Sequence, residues 1–178
     1  MVRYATRYVS PRSRPLTEDE KVIRQVAYDL KIPTPAAIAI AAPAMAALLG
    51  REPCWLIPIP SSTGGTEANM ALCRAMKRLI SGVRIVVGIR RTRPVESSCA
   101  RRRRGLLGLT VEEHAFARCC GPLLRLPVWL VDNVVTTGST LRAAHLAFGT
   151  GDGVVYADAS SYALIRSNRI GEFNAPPV

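Results

Sequence analysis

The chain has 178 residues, enough for one well-buried domain and too few for two of ordinary size. At 48% hydrophobic and 21% charged it is not a disordered sequence, and with 6% aromatics its core must be filled by aliphatic residues and alanine. A net charge of +11 and a pI near 10.2 attract polyanions through the long-range field, which points to nucleic acid or a polyphosphorylated small molecule.

The opening stretch MVRYATRYVSPRSRP reads as a loose basic arm, without the apolar segment of a secretory signal. Thr17 and Glu20 form a T-x-x-E capping box, which predicts a helix running to about Lys31. A proline-bounded turn follows. The alanine-rich stretch from Ala36 to Leu49 is too short to span a bilayer and predicts a buried helix, broken or kinked at Pro43.

CWLIPI, Cys54 to Ile59, is a short apolar run of the kind buried on both faces of a parallel sheet. Pro60 ends it, the loop SSTGG follows, and from Thr66 the residues Ala68, Leu72, Ala75, Met76 and Leu79 recur at helical spacing. Further strands are expected over Val83 to Ile89, Val128 to Val131 and Val154 to Ala159, with a helix over Leu141 to Phe148. This alternation predicts an α/β fold, a Rossmann-like parallel sheet with helices on both faces. Ligands of such sheets gather at the carboxyl ends of the strands, where SSTGG and TTGST both fall. The division expected is an N-terminal arm and helices over 1–50, a core over 51–160 and a tail over 161–178. Five cysteines without C-x-x-C spacing argue against a zinc ribbon or a disulfide framework and fit reduced thiols in the cytoplasm.

The stretch VWLVDNVVTTGST joins an apolar strand to a loop of small polar residues. Backbone N–H groups in a tight loop opening a helix make an anion site, and the helix dipole adds about 0.3–1 kcal/mol per charge. Gly138 permits unusual backbone angles, while Thr136, Thr137, Ser139 and Thr140 add hydroxyl donors. Asp132, at the end of the strand, suits the hydroxyl pair of a sugar. A phosphorylated ribose fits both halves.

That stretch resembles the signature of the type I phosphoribosyltransferases, which bind 5-phosphoribosyl-1-pyrophosphate (PRPP). One position departs: the family's second acid is Asn133 here. The ComF-like, competence-type branch is similar further along the chain. In PIPSSTGGTEANMALCRAM, residues Pro58, Pro60, Gly65 and Asn69 stand where that branch has its P-x-P and G-x-x-x-N, and the arginine-rich segment RRTRPVESSCARRRRGLLGLTVEEHAF follows in the same order. The likeness covers roughly residues 54–160. The branch's N-terminal zinc-binding cysteines are absent.

The resemblance implies a Mg²⁺-dependent transferase that passes the phosphoribosyl group to a nitrogen nucleophile, a nucleobase or related heterocycle, and releases pyrophosphate. It implies that Asp132 and Asn133 hold the ribose hydroxyls and that Thr136, Thr137, Gly138, Ser139 and Thr140 hold the 5′-phosphate. Ser61, Ser62, Thr63, Gly64 and Gly65 would bind the pyrophosphate. Residues 92–108 would form a closing loop whose Arg101, Arg102, Arg103 and Arg104 neutralise the leaving group and exclude water. Mg²⁺ would be carried mainly by PRPP and water rather than by protein ligands. The acceptor base would lie under a hood supplied by 1–50 or 161–178, and a homodimer is common in the family.

The arginine run is also readable as a solvated patch or a nucleic-acid contact. With an amide in place of the second acid, a PRPP-sensing or nucleic-acid-binding regulator on the same fold is the alternative. His114 and His145 show no partner pattern and read as surface or core residues, and no membrane partner is expected.

Overall fold

The structure is a computed structural model that describes residues 1–9, 14–121, 123 and 125–160. The tail 161–178, offered above as part of a hood, lies outside the described residues.

Five strands form one all-parallel sheet in the order β1-β7-β6-β2-β3. They are β1 (Val2–Arg7), β2 (Trp55–Pro58), β3 (Arg84–Ile85), β6 (Val128–Val135) and β7 (Asp152–Asp158). Consecutive residues of the inner strands point to opposite faces, and both faces are apolar. Leu56, Trp129, Val131 and Val154 pack against α1 (Glu18–Asp29), α2 (Pro35–Ala46) and α3 (Glu67–Leu79). Ile57, Leu130 and Val155 pack against α5 (Ser139–Phe148) on the other side. Strands covered on both faces read as continuous hydrophobic runs, which is why CWLIPI and VWLV were legible.

Four local expectations are revised. The opening segment is not a loose arm, because Val2–Arg7 is the edge strand, in register with Gly153 to Asp158 of β7. Its arginines hid it: Arg3 reaches the Leu48 carbonyl and lays its guanidinium 4.7 Å from the Trp129 ring centre, covering apolar surface with its stem. Helix α2 is not broken at Pro43 but continues through it to Ala46, since proline removes only one donor and Ala41, Ala42 and Met45 hold that stretch in the core.

The strand expected over Val83 to Ile89 is divided. After β3 the chain leaves the sheet at Gly88, where a Cβ would meet Phe148 Cε2 at 2.7 Å, so only glycine fits this close passage. It then forms β4 (Ile89–Arg91), antiparallel to β5 (Phe116–Arg118) in a separate two-stranded ribbon. Between those strands lie the short helix α4 (Ser98–Arg103) and a 3₁₀ turn at Glu112–His114. Lastly, β6 runs past Val131, with Asp132 opposite Val155 and Val135 opposite Asp158.

The N-terminal elements belong to the same core as the rest: Val26, Ala41 and Met45 cluster with Leu56, Leu72 and Val131. From β2 the chain passes through α3 to β3 on one side, and from β6 through α5 to β7 on the other. The direction of winding reverses between β2 and β6. That switch point opens a crevice at their carboxyl ends. Among the described residues no helix is long and apolar enough to cross a membrane.

Candidate functional site

A cleft of about 800 Å³ occupies that crevice. Its floor is the end of β6 and the loop after it, with Asp132, Asn133, Thr136, Thr137, Gly138, Ser139 and Thr140 all lining it. Ser61 and Ser62 enter from the end of β2. Arg91, Ser97, Arg103 and His114 come from the ribbon and its insertion, and Tyr8, Arg24, Tyr28 and Lys31 close the far side.

Asp132 ends the buried part of β6 and opens on the cleft, ringed elsewhere by protein. Burial pushes its carboxyl up to about 6, against the lowering effect of its hydrogen-bond donors and of the nearby Arg91 charge. The donors are the Asn133 backbone N–H at 2.8 Å and the Asn69 amide at 3.3 Å, both to Oδ1. Asn69 also donates to the Ile59 carbonyl at 2.8 Å, so α3 ties the end of β2 to the acid of β6. Asn133 turns its own side-chain oxygen back to accept from the Val134 N–H at 2.9 Å.

Gly138 adopts a left-handed conformation, φ 75°, and delivers the chain into α5 at Ser139. The N-cap Gly138 has no side chain to cap the helix; Ser139 N–H donates to Thr137 Oγ1 at 3.4 Å, and the next N–H groups face the loop with the dipole behind them. Thr137 Oγ1 donates to Ser139 Oγ at 3.1 Å, and Ser139 Oγ meets His114 Nε2 at 3.2 Å. His114 is 2% exposed, stacks on Phe116, and has a buried Nδ1 with no partner among the described residues. Burial and the neighbouring Arg91 charge lower its pKa to about 4, so the ring is neutral at pH 7.

The SSTGG loop is folded on itself. Ser61 N–H donates to the Gly65 carbonyl at 2.7 Å and Gly64 N–H to the Ser61 carbonyl at 3.1 Å, with Gly64 at φ 99°. Thr63, Gly64 and Gly65 belong to this turn but do not line the cleft, and the Gly64 donor is already used. Arg91 secures the loop by donating to the Ser61 carbonyl and the His114 carbonyl while lying 4.4 Å from the Phe116 ring centre.

Of the four arginines expected to act together, the three with described side chains are dispersed. Arg103 lines the cleft. Arg101 is held by Glu113 at 3.0 Å and the Leu107 carbonyl at 2.9 Å, and Arg104 by Glu96 at 3.2 Å. A short helix spreads successive side chains around its axis, so adjacent arginines cannot share one target. The side chain of Arg102 lies outside the described residues.

Sequence reading left Arg91, His114, Arg24, Tyr28 and Lys31 off the list of site residues. The last three stand at i, i+4 and i+7, two on the N-terminal helix and Lys31 in the turn just after it, a spacing readable in advance. Arg91 and His114 gave no such signal, since the ribbon that positions them was read as strand and loop. The cleft lining holds four cations, Arg24, Lys31, Arg91 and Arg103, and one carboxylate, Asp132. Among the described residues no three His, Cys, Asp or Glu side chains cluster as a metal cage, so an ion here would be held by Asp132 together with ligand oxygens. No protein-family model matches the chain, and a search of curated proteins finds no relative.

Proposed function

We propose that the chain is a PRPP-dependent phosphoribosyltransferase of the type I, ComF-like kind. The observation that carries this reading is the meeting, in one cleft at the switch point, of the half-buried carboxylate of Asp132 with a helix N-terminus and its hydroxyl-rich loop. The spacing of acid and anion cradle along the chain suits one phosphorylated sugar.

In this reading Asp132, ionised at pH 7, accepts from the ribose hydroxyls, and the loop Thr136 to Thr140 donates to the 5′-phosphate. Ser61 and Ser62 stand beside the pyrophosphate, with Arg103 and Arg91 supplying positive charge as it leaves. The C1–oxygen bond to pyrophosphate breaks with its electron pair going to the leaving group, a nitrogen of the acceptor bonds to C1, and that nitrogen gives up a proton. Asp132, the one carboxylate lining the cleft, would hold a Mg²⁺ carried by PRPP, which would offset the charge of the pyrophosphate oxygens. Among the described side chains Cys54, Cys73, Cys119 and Cys120 are free, which fits a reducing compartment, the cytoplasm.

The test is pyrophosphate release from PRPP and Mg²⁺ with a panel of nitrogen heterocycles. Release that depends on the acceptor and disappears in Asp132→Ala is the expected result, and no release with any acceptor would contradict it.

One observation favours a second reading, a PRPP sensor with little turnover. Asn133 takes the place of the family's second acid, and its side-chain oxygen is engaged with the Val134 N–H. PRPP binding without pyrophosphate release would select that reading.

A further inference from the structure

The cleft extends past the phosphate loop to a second positively charged wall on α1. Arg24 and Tyr28 project from that helix and Lys31 from the turn just after it, and Tyr8 stands beside them after the end of β1. The Lys31 ammonium lies 5.0 Å and the Arg24 guanidinium carbon 6.0 Å from the Tyr28 ring centre, so one aromatic ring holds both charges in place. Neither cation forms an ion pair among the described residues. Arg24 Nε is buried and without a partner there, a donor whose desolvation nothing in the described residues offsets. The cleft's one carboxylate, Asp132, already accepts from Asn69 and Asn133 at the floor.

We propose that this wall is the acceptor subsite and selects a planar acceptor that carries a carboxylate. The guanidinium fork of Arg24 matches the two oxygens of a carboxylate, and Lys31 adds a point charge. The wall lies in the carboxyl-terminal half of α1, away from its N-terminal N–H groups, and lacks the backbone donors that suit a phosphate at the other end of the cleft. The acceptor role rests on the phosphoribosyltransferase reading. The anion preference rests on the wall itself.

Pyridine-3-carboxylate and pyridine-3-carboxamide differ in charge at nearly constant shape, so ligand-observed NMR titration of both, with and without PRPP and Mg²⁺, isolates the effect. The carboxylate is expected to bind roughly tenfold more tightly, and Arg24→Gln or Lys31→Gln to bring the two within about twofold, since a charge-assisted pair exceeds a neutral one by that order. Both variants should still bind PRPP and unfold in one cooperative transition. Equal binding of the two rings by a protein that binds PRPP would overturn the inference while leaving the transferase reading intact. Carboxylate selectivity in a protein that does not bind PRPP would overturn the acceptor assignment.

Discussion

His114 Nε2 lies 3.2 Å from Ser139 Oγ and joins the two-stranded ribbon to the first residue of α5. Because Nδ1 is buried without a partner among the described residues, a proton there would be an unmet donor, so the favoured tautomer carries its proton on Nε2 and donates to Ser139. Thr137 donates to the same oxygen. Among the described residues Ser139 then has no acceptor for its own hydroxyl proton, which leaves that proton for a phosphate oxygen in the cleft.

Replacing His114 should therefore weaken PRPP binding although the ring never touches the sugar. His114→Ala is expected to lower affinity by about tenfold and stability by about 1–3 kcal/mol, the cost of unpairing a buried polar group and opening a cavity. His114→Gln, whose amide can donate to Ser139, should recover most of the affinity. Calorimetric titration and thermal melting measure the two effects separately.

Asp132 and His114 pull the pH dependence of stability in opposite directions. The Asp132 pKa is raised to about 6, so between about pH 4 and 6 the folded state holds more protons than the unfolded chain and stability falls as pH rises. The His114 pKa is lowered to about 4, so between about pH 4 and 6.5 the folded state holds fewer protons and stability rises with pH. Asp132→Asn keeps the shape, removes the charge penalty, and is expected to stabilise the protein by ~1–2 kcal/mol at pH 7 while abolishing PRPP binding. The gain should vanish by about pH 4, where wild-type Asp132 is protonated, and the Asn variant's stability should rise with pH more steeply than the wild type's. Melting curves at half-unit pH steps test the sign.

The dispersal of the arginines gives an ordered expectation. Arg103→Ala should slow pyrophosphate release by on the order of 10²-fold, as loss of a donor to developing charge does elsewhere. Arg104→Ala, which breaks only an exposed pair with Glu96, should change the rate and stability little. Arg101→Ala should act through stability, by freeing Glu113 and the turn that ends in His114. Rates and melting temperatures measured on all three variants separate these roles.

Asn133→Asp would place a second carboxylate beside Asp132. The new acid can still accept from the Val134 N–H, so the local backbone is retained. Its negative charge should raise the Asp132 pKa further and strengthen binding of Mg²⁺-loaded PRPP several-fold, with a steeper dependence on Mg²⁺ concentration. Titrations at several Mg²⁺ concentrations check this.

The parallel sheet was legible because strands covered on both faces carry continuous apolar runs and the helices between them carry regular spacing. The floor of the cleft was legible for a related reason: Asp132 and the loop Thr136 to Thr140 are contiguous in sequence. What sequence reading lost depends on tertiary placement. β1 is disguised by Arg3 and Arg7, whose charge suggested solvent although Arg3 packs across Trp129. Arg91 and His114 matter because the ribbon folds back over the sheet, a turn set by close packing at Gly88. Arg101 to Arg104 form one block of charge in sequence, yet among the described side chains Arg103 lines the cleft while Arg101 pairs with Glu113 and Arg104 with Glu96.

The most direct measurement is calorimetric titration of PRPP with Mg²⁺ into the wild type and into Asp132→Ala. Saturable one-to-one binding by the wild type, weakened at least tenfold in the variant, is the result this account predicts. No heat of binding in the wild type, or equal affinity in the two proteins, would contradict it.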